Sequence, residues 1–256
     1  MTWIVEEDVD RVRTLVLNRP DRMNAVPPGG WADLTDVLRR FEQSDQRALV
    51  VTGAGGNFCS GADLESREDF GVADGARRMG IVGEAASTLR RLTKPTIAAV
   101  DGVAAGAGMN LALGCDLVIA GSDARFSEIF VRRGLSVDFG GTWLLPRIVG
   151  LQRAKELALT GRMVPAEEAV LIGLCLEVVE SDELRSHVAA LAGRLADGAP
   201  IAQMFTKQMM DRSFELSFED AVEWEGQSQS ICFTTSDFDE GVASFVERRS
   251  PRFEGR

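Results

Sequence analysis

The sequence predicts an α/β fold, on three observations. Short runs rich in Val, Ile and Thr ("TWIVEE", "RVRTLVLN", "RALVVTG", "TIAAVDG") end in turn residues, as strands do. Between them lie segments whose apolar residues recur at helical spacing. Strand and helix patterns therefore alternate, which is the signature of an α/β core.

Taken in order, "TWIVEE" and "RVRTLVLN" open the chain as two strands, and "GGWADLTDVLRRFEQS" follows as a helix. It places Trp31, Leu34, Val37, Leu38 and Phe41 on one face. "RALVVTG" is the third strand and runs into the glycine-rich "GAGGNFCSGADL". "GARRMGIVGEAASTLRRLTKP" is a second amphipathic helix that stops at Pro95, before the strand "TIAAV". "DGVAAGAGMNLALGCD" is then a tight glycine turn opening a buried helix near Gly108. Beyond about residue 150 the patterns are nearly all helical, with "LCLEVVE" as the single β-like break. The expected organisation is a core over 1–200 and a helical region over 201–256, whose apolar helices pack on another subunit.

With 256 residues, 45% of them apolar and 26% charged, the chain can bury a sizeable core. A formal charge of −11 (28 basic against 39 acidic residues) argues against a nucleic-acid or anionic-membrane surface. Cys59, Cys115, Cys175 and Cys232 stand far apart with no CxxC pair, as free thiols of a reducing compartment do. The start "MTWIVEEDVD" lacks the layout of a signal peptide, and no apolar run reaches membrane-spanning length. The expected location is the cytoplasm.

Three readings of "GVAAGAGMNLALGCD" compete. A dinucleotide fingerprint G-x-G-x-x-G fails because Gly106 and Gly108 are followed by Met109, Asn110 and Leu111. A phosphate-cradling loop needs GK[ST], absent both here and in "TGAGGNFCSG". What remains is a strand, a tight turn and a helix start whose free N–H groups favour negative charge. Two such glycine-rich strand exits, one donor from each, are the parts of an oxyanion hole; two ligand-free turns are the plain alternative.

The motifs "NRPDRMNAV", "FCSGADL", "KPTIAAVDGVAAGAGMNLALGCDLVIA", "GGTWLLPRIVG" and "ELALTGR", in this order and spacing, resemble the crotonase (enoyl-CoA hydratase/isomerase) superfamily over nearly the whole chain. The ending "FDEGVASFVERRSPRF" looks like that family's C-terminal helix. The resemblance implies a spiral of ββα units with a C-terminal helical trimerisation region, assembled as a trimer or a hexamer of two trimers. It implies an acyl-CoA thioester as partner, with CoA part of the substrate, no separate cofactor and no metal. It also implies an enolate-like anion held by the backbone N–H groups of Ala62 and Ala107. CoA and substrate contacts are expected from Arg22, Met23, Ala25, Asp63, Leu64, Asn110, Phe130, Phe245 and Arg248.

Hydratases of this family use two glutamates. The corresponding positions here are Asn110 and Phe130, neither of which exchanges a proton. Asp138, in "GLSVDFGGT", sits where isomerising members place an aspartate, and the branch most resembled is the isomerase of phenylacetyl-CoA breakdown. A carboxylate in an apolar cleft has its pKa raised toward that of a useful base. Asp138 could instead cap the helix that follows. Glu128 is a rival acid, read as solvated or paired with Arg125, Arg132 or Arg133. His187, the single histidine, is expected on the surface, which leaves no base for a Ser–His–Asp or Cys–His arrangement. The expected activity is an acyl-CoA isomerase that shifts a double bond or opens a ring epoxide. An atypical hydratase and a non-catalytic acyl-CoA binder stay open, and a dehalogenase-type nucleophilic aspartate would need a separate base. Residues 65–80 are expected to wall the acyl pocket.

Overall fold

The computed structural model describes residues 2–64 and 71–256. β1 (Ile4–Val9) and β2 (Val12–Leu17) form a hairpin, turned at Asp10 with φ +52°. α1 (Gly30–Glu42) leads to β3 (Ala48–Gly53), and α2 (Val72–Arg90) to β4 (Thr96–Val100). β5 (Val103–Ala105), α3 (Ala107–Leu113), β6 (Leu117–Gly121) and β7 (Arg125–Ser127) follow in close succession. A 3₁₀ turn over Ile129–Arg133 precedes α4 (Gly141–Val149), α5 (Leu151–Thr160) and the two-residue β8 (Val164–Pro165). α6 (Ala166–Leu171), β9 (Glu177–Val179) and α7 (Leu184–Ala196) complete the core. The chain ends in α8 (Pro200–Arg212), α9 (Phe218–Cys232) and α10 (Ser236–Glu247).

The main sheet has the order β1-β2-β3-β4-β6-β9 and is parallel apart from the first hairpin. Its central strands are buried on both faces, which explains their nearly continuous apolar sequence. Leu49, Val51, Ala98, Val100 and Val118 face the larger core, where α1 packs Trp31, Leu34, Val37, Leu38 and Phe41 as its spacing predicts. Val50, Ile97, Ala99 and Ile119 point the other way, onto Leu184, Val188 and Ala192 of α7.

A smaller sheet, β5-β7-β8, takes the second strand of each unit. β4 and β6 lie in the large sheet, their successors β5 and β7 in the small one, and a bridge from Cys59 to Ala104 adds the segment after β3. This repeated strand–strand–helix step is the ββα spiral. β8 corrects the expectation of a single β-like break after residue 150. Val164 pairs with Phe126 and Pro165 with Arg125, which uses an edge where proline's missing N–H is tolerated.

The last three helices bury little: no residue of α8, Ser228 of α9, and Asp237 and Ser244 of α10. They are tied to the core by polar contacts, with Asp211 paired to Arg90 and Lys207 Nζ 2.8 Å from Asp116. Phe214, Phe218, Phe245 and Val246 remain exposed. Among the described residues no helix is long and apolar enough to cross a membrane.

At Gly108 the spiral closes tightly, since a Cβ there would stand 2.1 Å from the Cys59 carbonyl oxygen. Gly108→Ala is expected to cost about 1–3 kcal/mol, as overpacking does. Gly193→Ala on α7, where a Cβ meets nothing within 4 Å, is expected to gain up to about 1 kcal/mol from helix propensity. Thermal unfolding of the two variants checks both signs.

Candidate active site

Two backbone turns define the site. In the first, the ladder around Val26 and Ala62 places one amide. Val26 N–H donates to the Gly61 carbonyl at 2.8 Å and Asp63 N–H to the Val26 carbonyl at 2.9 Å. A parallel bridge of this kind uses the groups flanking Ala62, so the N–H of Ala62 itself faces the other way. In the second, Gly106 N–H donates to the Ser127 carbonyl at 2.8 Å with Gly106 at φ +56°, and the chain enters α3 at Ala107. As the first residue of the helix, Ala107 has no preceding carbonyl for its N–H. Among the described residues neither amide donates to a protein acceptor. The turns are in contact, since a Cβ on Gly61 would lie 3.4 Å from the Ala107 nitrogen. Two free donors on apposed turns have the form of an oxyanion hole.

One turn of helix beyond Ala107, the fully buried Asn110 projects between two carboxyl-bearing segments. Its Nδ2 donates to the Asp138 carbonyl at 3.0 Å and lies 3.4 Å from Glu128 Oε2. Its Oδ1 has no partner. Gly141, at the start of α4, lies flat against this amide, and a Cβ there would fall 2.3 Å from Nδ2. Phe139, at φ +50°, turns its ring into the core against Trp31, with centroids 5.0 Å apart, and fixes the loop that carries Asp138.

Asp138 does not cap α4. The N-cap is Gly140, no side chain caps the helix, and the Asp138 Oδ1 is buried without a partner. Burial pushes its carboxyl up to about 6.

Glu128 corrects the sequence reading. It is 1% exposed and makes no ion pair with Arg125, Arg132 or Arg133. Burial, and secondarily the charge of Asp138, pushes its carboxyl up to about 8 against the opposing hydrogen bond from Asn110. Oε1 is unpartnered. The register of β5 and β7 puts it there: Ala105 pairs with Ser127, so Gly106–Ala107 and Glu128 leave the small sheet side by side. A signal for this existed. Two-residue periodicity sets Glu128 on the same side as Phe126, which is fully buried.

The remaining residues divide into two groups. Phe130, buried, lies near Gly106, where a Cβ would meet its ring at 3.6 Å. Met23 accepts from Ser60 N–H and Arg22 from Ser60 Oγ, which sets both beside the first turn. Ala25 and Asp63 are joined through Arg19, whose guanidinium donates to the Ala25 carbonyl at 2.7 Å and to Asp63 Oδ2 at 2.9 Å. Leu64, 50% exposed, continues this rim. Asn24, unsuspected from sequence, holds the rim by donating to the carbonyls of Ala54 and Asn57.

Phe245 and Arg248 are not brought to these turns within one chain. Both are exposed at the end of α10, and Phe245 lines a separate cleft with Ala199, Ile201 and Phe253. The reason is the course of the C-terminal segment, whose Phe253 carbonyl is held by Arg47 at 2.9 Å. Residues 65–70 of the expected acyl wall lie outside the described residues. A cavity of about 2130 Å³ on the α7 side of the sheet contains none of the site residues. His187 is half-buried on α7, 2.6 Å from Glu177. Among the described residues no cluster of three or more His, Cys, Asp or Glu side chains could hold a metal ion.

Comparison with known proteins agrees with this architecture. The sequence profile described as "Enoyl-CoA hydratase/isomerase" matches residues 7–256. The chain is 38% identical over 262 aligned positions to the 1,2-epoxyphenylacetyl-CoA isomerase of Escherichia coli, covering 100% of both chains. It is 34% identical to the short-chain-enoyl-CoA hydratase of Clostridium acetobutylicum, covering 96% of this chain and 95% of that one. The crystal structure of an enoyl-CoA hydratase from Bacillus anthracis superimposes with a TM-score of 0.95 at 29% identity, covering 100% of both chains. With its spiral, its paired turns and its sequence all in agreement over the full length, the chain belongs to the enoyl-CoA hydratase/isomerase family.

Proposed function

We propose that this family member is an acyl-CoA isomerase, which shifts a double bond or opens a ring epoxide through an enolate-like anion. The observation that carries the reading is the unpartnered, half-buried carboxyl of Asp138, on a loop whose backbone is held by an amide, Asn110, that cannot move a proton. The thioester oxygen would lie between the N–H groups of Ala62 and Ala107. Loss of one such donor typically costs about 2.7–4 kcal/mol of transition-state stabilisation. As charge develops on that oxygen, the positive end of α3 adds to the hole. With its carboxyl pushed up to about 6, Asp138 is mostly ionised at pH 7 and still basic enough to take a proton beside the conjugated carbonyl.

CoA would run along the rim formed by Arg22, Met23, Ala25, Asp63 and Leu64, with Arg22 near the phosphates and Phe130 and Asn110 lining the acyl end. The exposed Phe214, Phe218, Phe245 and Val246 of the C-terminal region support self-association as a trimer or a pair of trimers. In such an assembly Phe245 and Arg248 would serve a neighbouring subunit's site. The buried free thiols of Cys59, Cys115 and Cys175 fit a cytoplasmic location. The 38% identical relative named for an epoxide-bearing aromatic acyl-CoA supports a ring-containing substrate.

A hydratase of unusual design is the second reading, favoured by the second buried carboxyl, Glu128, and by the relative named as a short-chain hydratase. A panel of short, long and aromatic acyl-CoA substrates, scored separately for isomerisation and for hydration of crotonyl-CoA, separates the two. Hydration without isomerisation would replace the first reading by the second. Asp138→Asn is expected to lower isomerisation by about 10²–10⁴-fold while leaving acyl-CoA affinity nearly unchanged; undiminished turnover removes Asp138 from the mechanism. Because the base must be ionised, kcat/KM of the wild type is expected to fall as pH drops through about 6.

A further inference from the structure

The segment after β7 carries a group that the mechanism above does not use. Glu128 follows directly on the Ser127 carbonyl that anchors Gly106, so its backbone adjoins the turn bearing the Ala107 amide. Its carboxyl is 1% exposed, with Oε2 facing the Asn110 amide at 3.4 Å and Oε1 unpartnered. A buried carboxyl with a free oxygen and no cation is costly as an anion and ready as an acid.

We propose that Glu128 is the second proton carrier of the site, a carboxylic acid that delivers a proton to one end of the substrate's allylic system after Asp138 has taken one from the other. This rests on the isomerase reading above. Asp138 carboxylate removes a proton as the C–H bond breaks, and the electron pair moves into the conjugated system with negative charge on the thioester oxygen. The pair then returns to form a C–H bond with the Glu128 proton, leaving Glu128 ionised and Asp138 protonated. One proton is taken and one given, so no co-reactant is consumed. Asn110 N–H faces the Glu128 oxygen that has just become anionic. Half-buried Asp138 then passes its proton to water and Glu128 takes one back from water, which restores the starting state.

The charged surroundings leave Glu128 to this role. Asp138, on the loop before α4, is the titratable group that acts on it, and it favours the protonated form. α3 carries no ionisable residue. On α5 and α6, Glu156 and Glu168 share Arg162 at 2.5 and 2.6 Å, and Arg153 lies 3.5 Å from Glu156. On α4, Arg147 stacks over Trp143. On its own segment, Arg132 donates to the Thr160 carbonyl, and Arg125 and Arg133 are exposed. With Asp138 pushed up to about 6 and Glu128 to about 8, the active form at pH 7 has the first ionised and the second protonated.

The test is Glu128→Gln, assayed on whichever acyl-CoA the wild type isomerises. The expected result is a loss of kcat of about 10²–10⁴-fold with KM unchanged, and partial recovery in Glu128→Asp. Wild-type kcat/KM is expected to rise through about pH 6 and fall through about pH 8, with the falling limb absent from Glu128→Gln. A variant with wild-type kcat and an intact falling limb overturns the proposal and leaves the isomerase reading standing. A wild type that isomerises nothing in the panel overturns the isomerase reading, and the proposal falls with it. If Glu128→Gln does not fold, infrared titration of the wild type decides. A protonated carboxyl band present at pH 7 and lost through about pH 8 supports the role, and a spectrum without one at pH 7 overturns it.

Discussion

The amide of Asn110 is the point on which the site's geometry depends. It is fully buried, it binds the backbone of the Asp138 loop, it faces the Glu128 carboxyl, and it is pressed against the bare Cα of Gly141. Two segments, the one carrying Glu128 and the loop from Asp138 to Gly141, are thereby held against α3. An ionisable residue in the same place would add a third buried titratable group to two that already resist ionisation. A neutral amide avoids that cost and still offers a donor to the Glu128 carboxyl. The same helix carries Ala107 one turn earlier, so the Ala107 amide and the Asn110 side chain share one short element.

Much of this was legible in sequence. The five apolar residues of α1 are all buried, and the strands begin and end close to their Val- and Ile-rich runs. The two glycine turns meet because Gly61 and Gly108 permit close backbone approach, which glycine density at strand exits announces. The substitution of Asn110 and Phe130 for acids was readable directly. Less legible was anything that depends on how the two sheets lie against each other. Glu128 stands among Arg125, Arg132 and Arg133 in sequence, but the small sheet turns it inward and leaves Arg125 and Arg133 in solvent. β8, two residues long and containing a proline, has no periodicity to detect. Phe245 and Arg248 carry a family pattern, yet the fold of a single chain sends α10 elsewhere.

The two carboxyls show how one apolar environment pushes neighbouring acids up to different extents. Asp138, half-buried, is raised modestly; Glu128, fully buried and next to another acid, is raised further. That separation favours the ionised form of Asp138 and the protonated form of Glu128 at neutral pH. The backbone amides of Ala62 and Ala107, which donate to no protein acceptor among the described residues, depend on the turns and not on these side chains.

Hydrogen–deuterium exchange at the carbon next to the thioester tests the enolate directly. A saturated arylacetyl-CoA, which has no double bond to move, is incubated with the wild-type protein in D₂O and followed by NMR. The account predicts exchange at neutral pH that slows as pH falls through about 6, where Asp138 becomes protonated. Tight binding of the ligand with no exchange at any pH would contradict it.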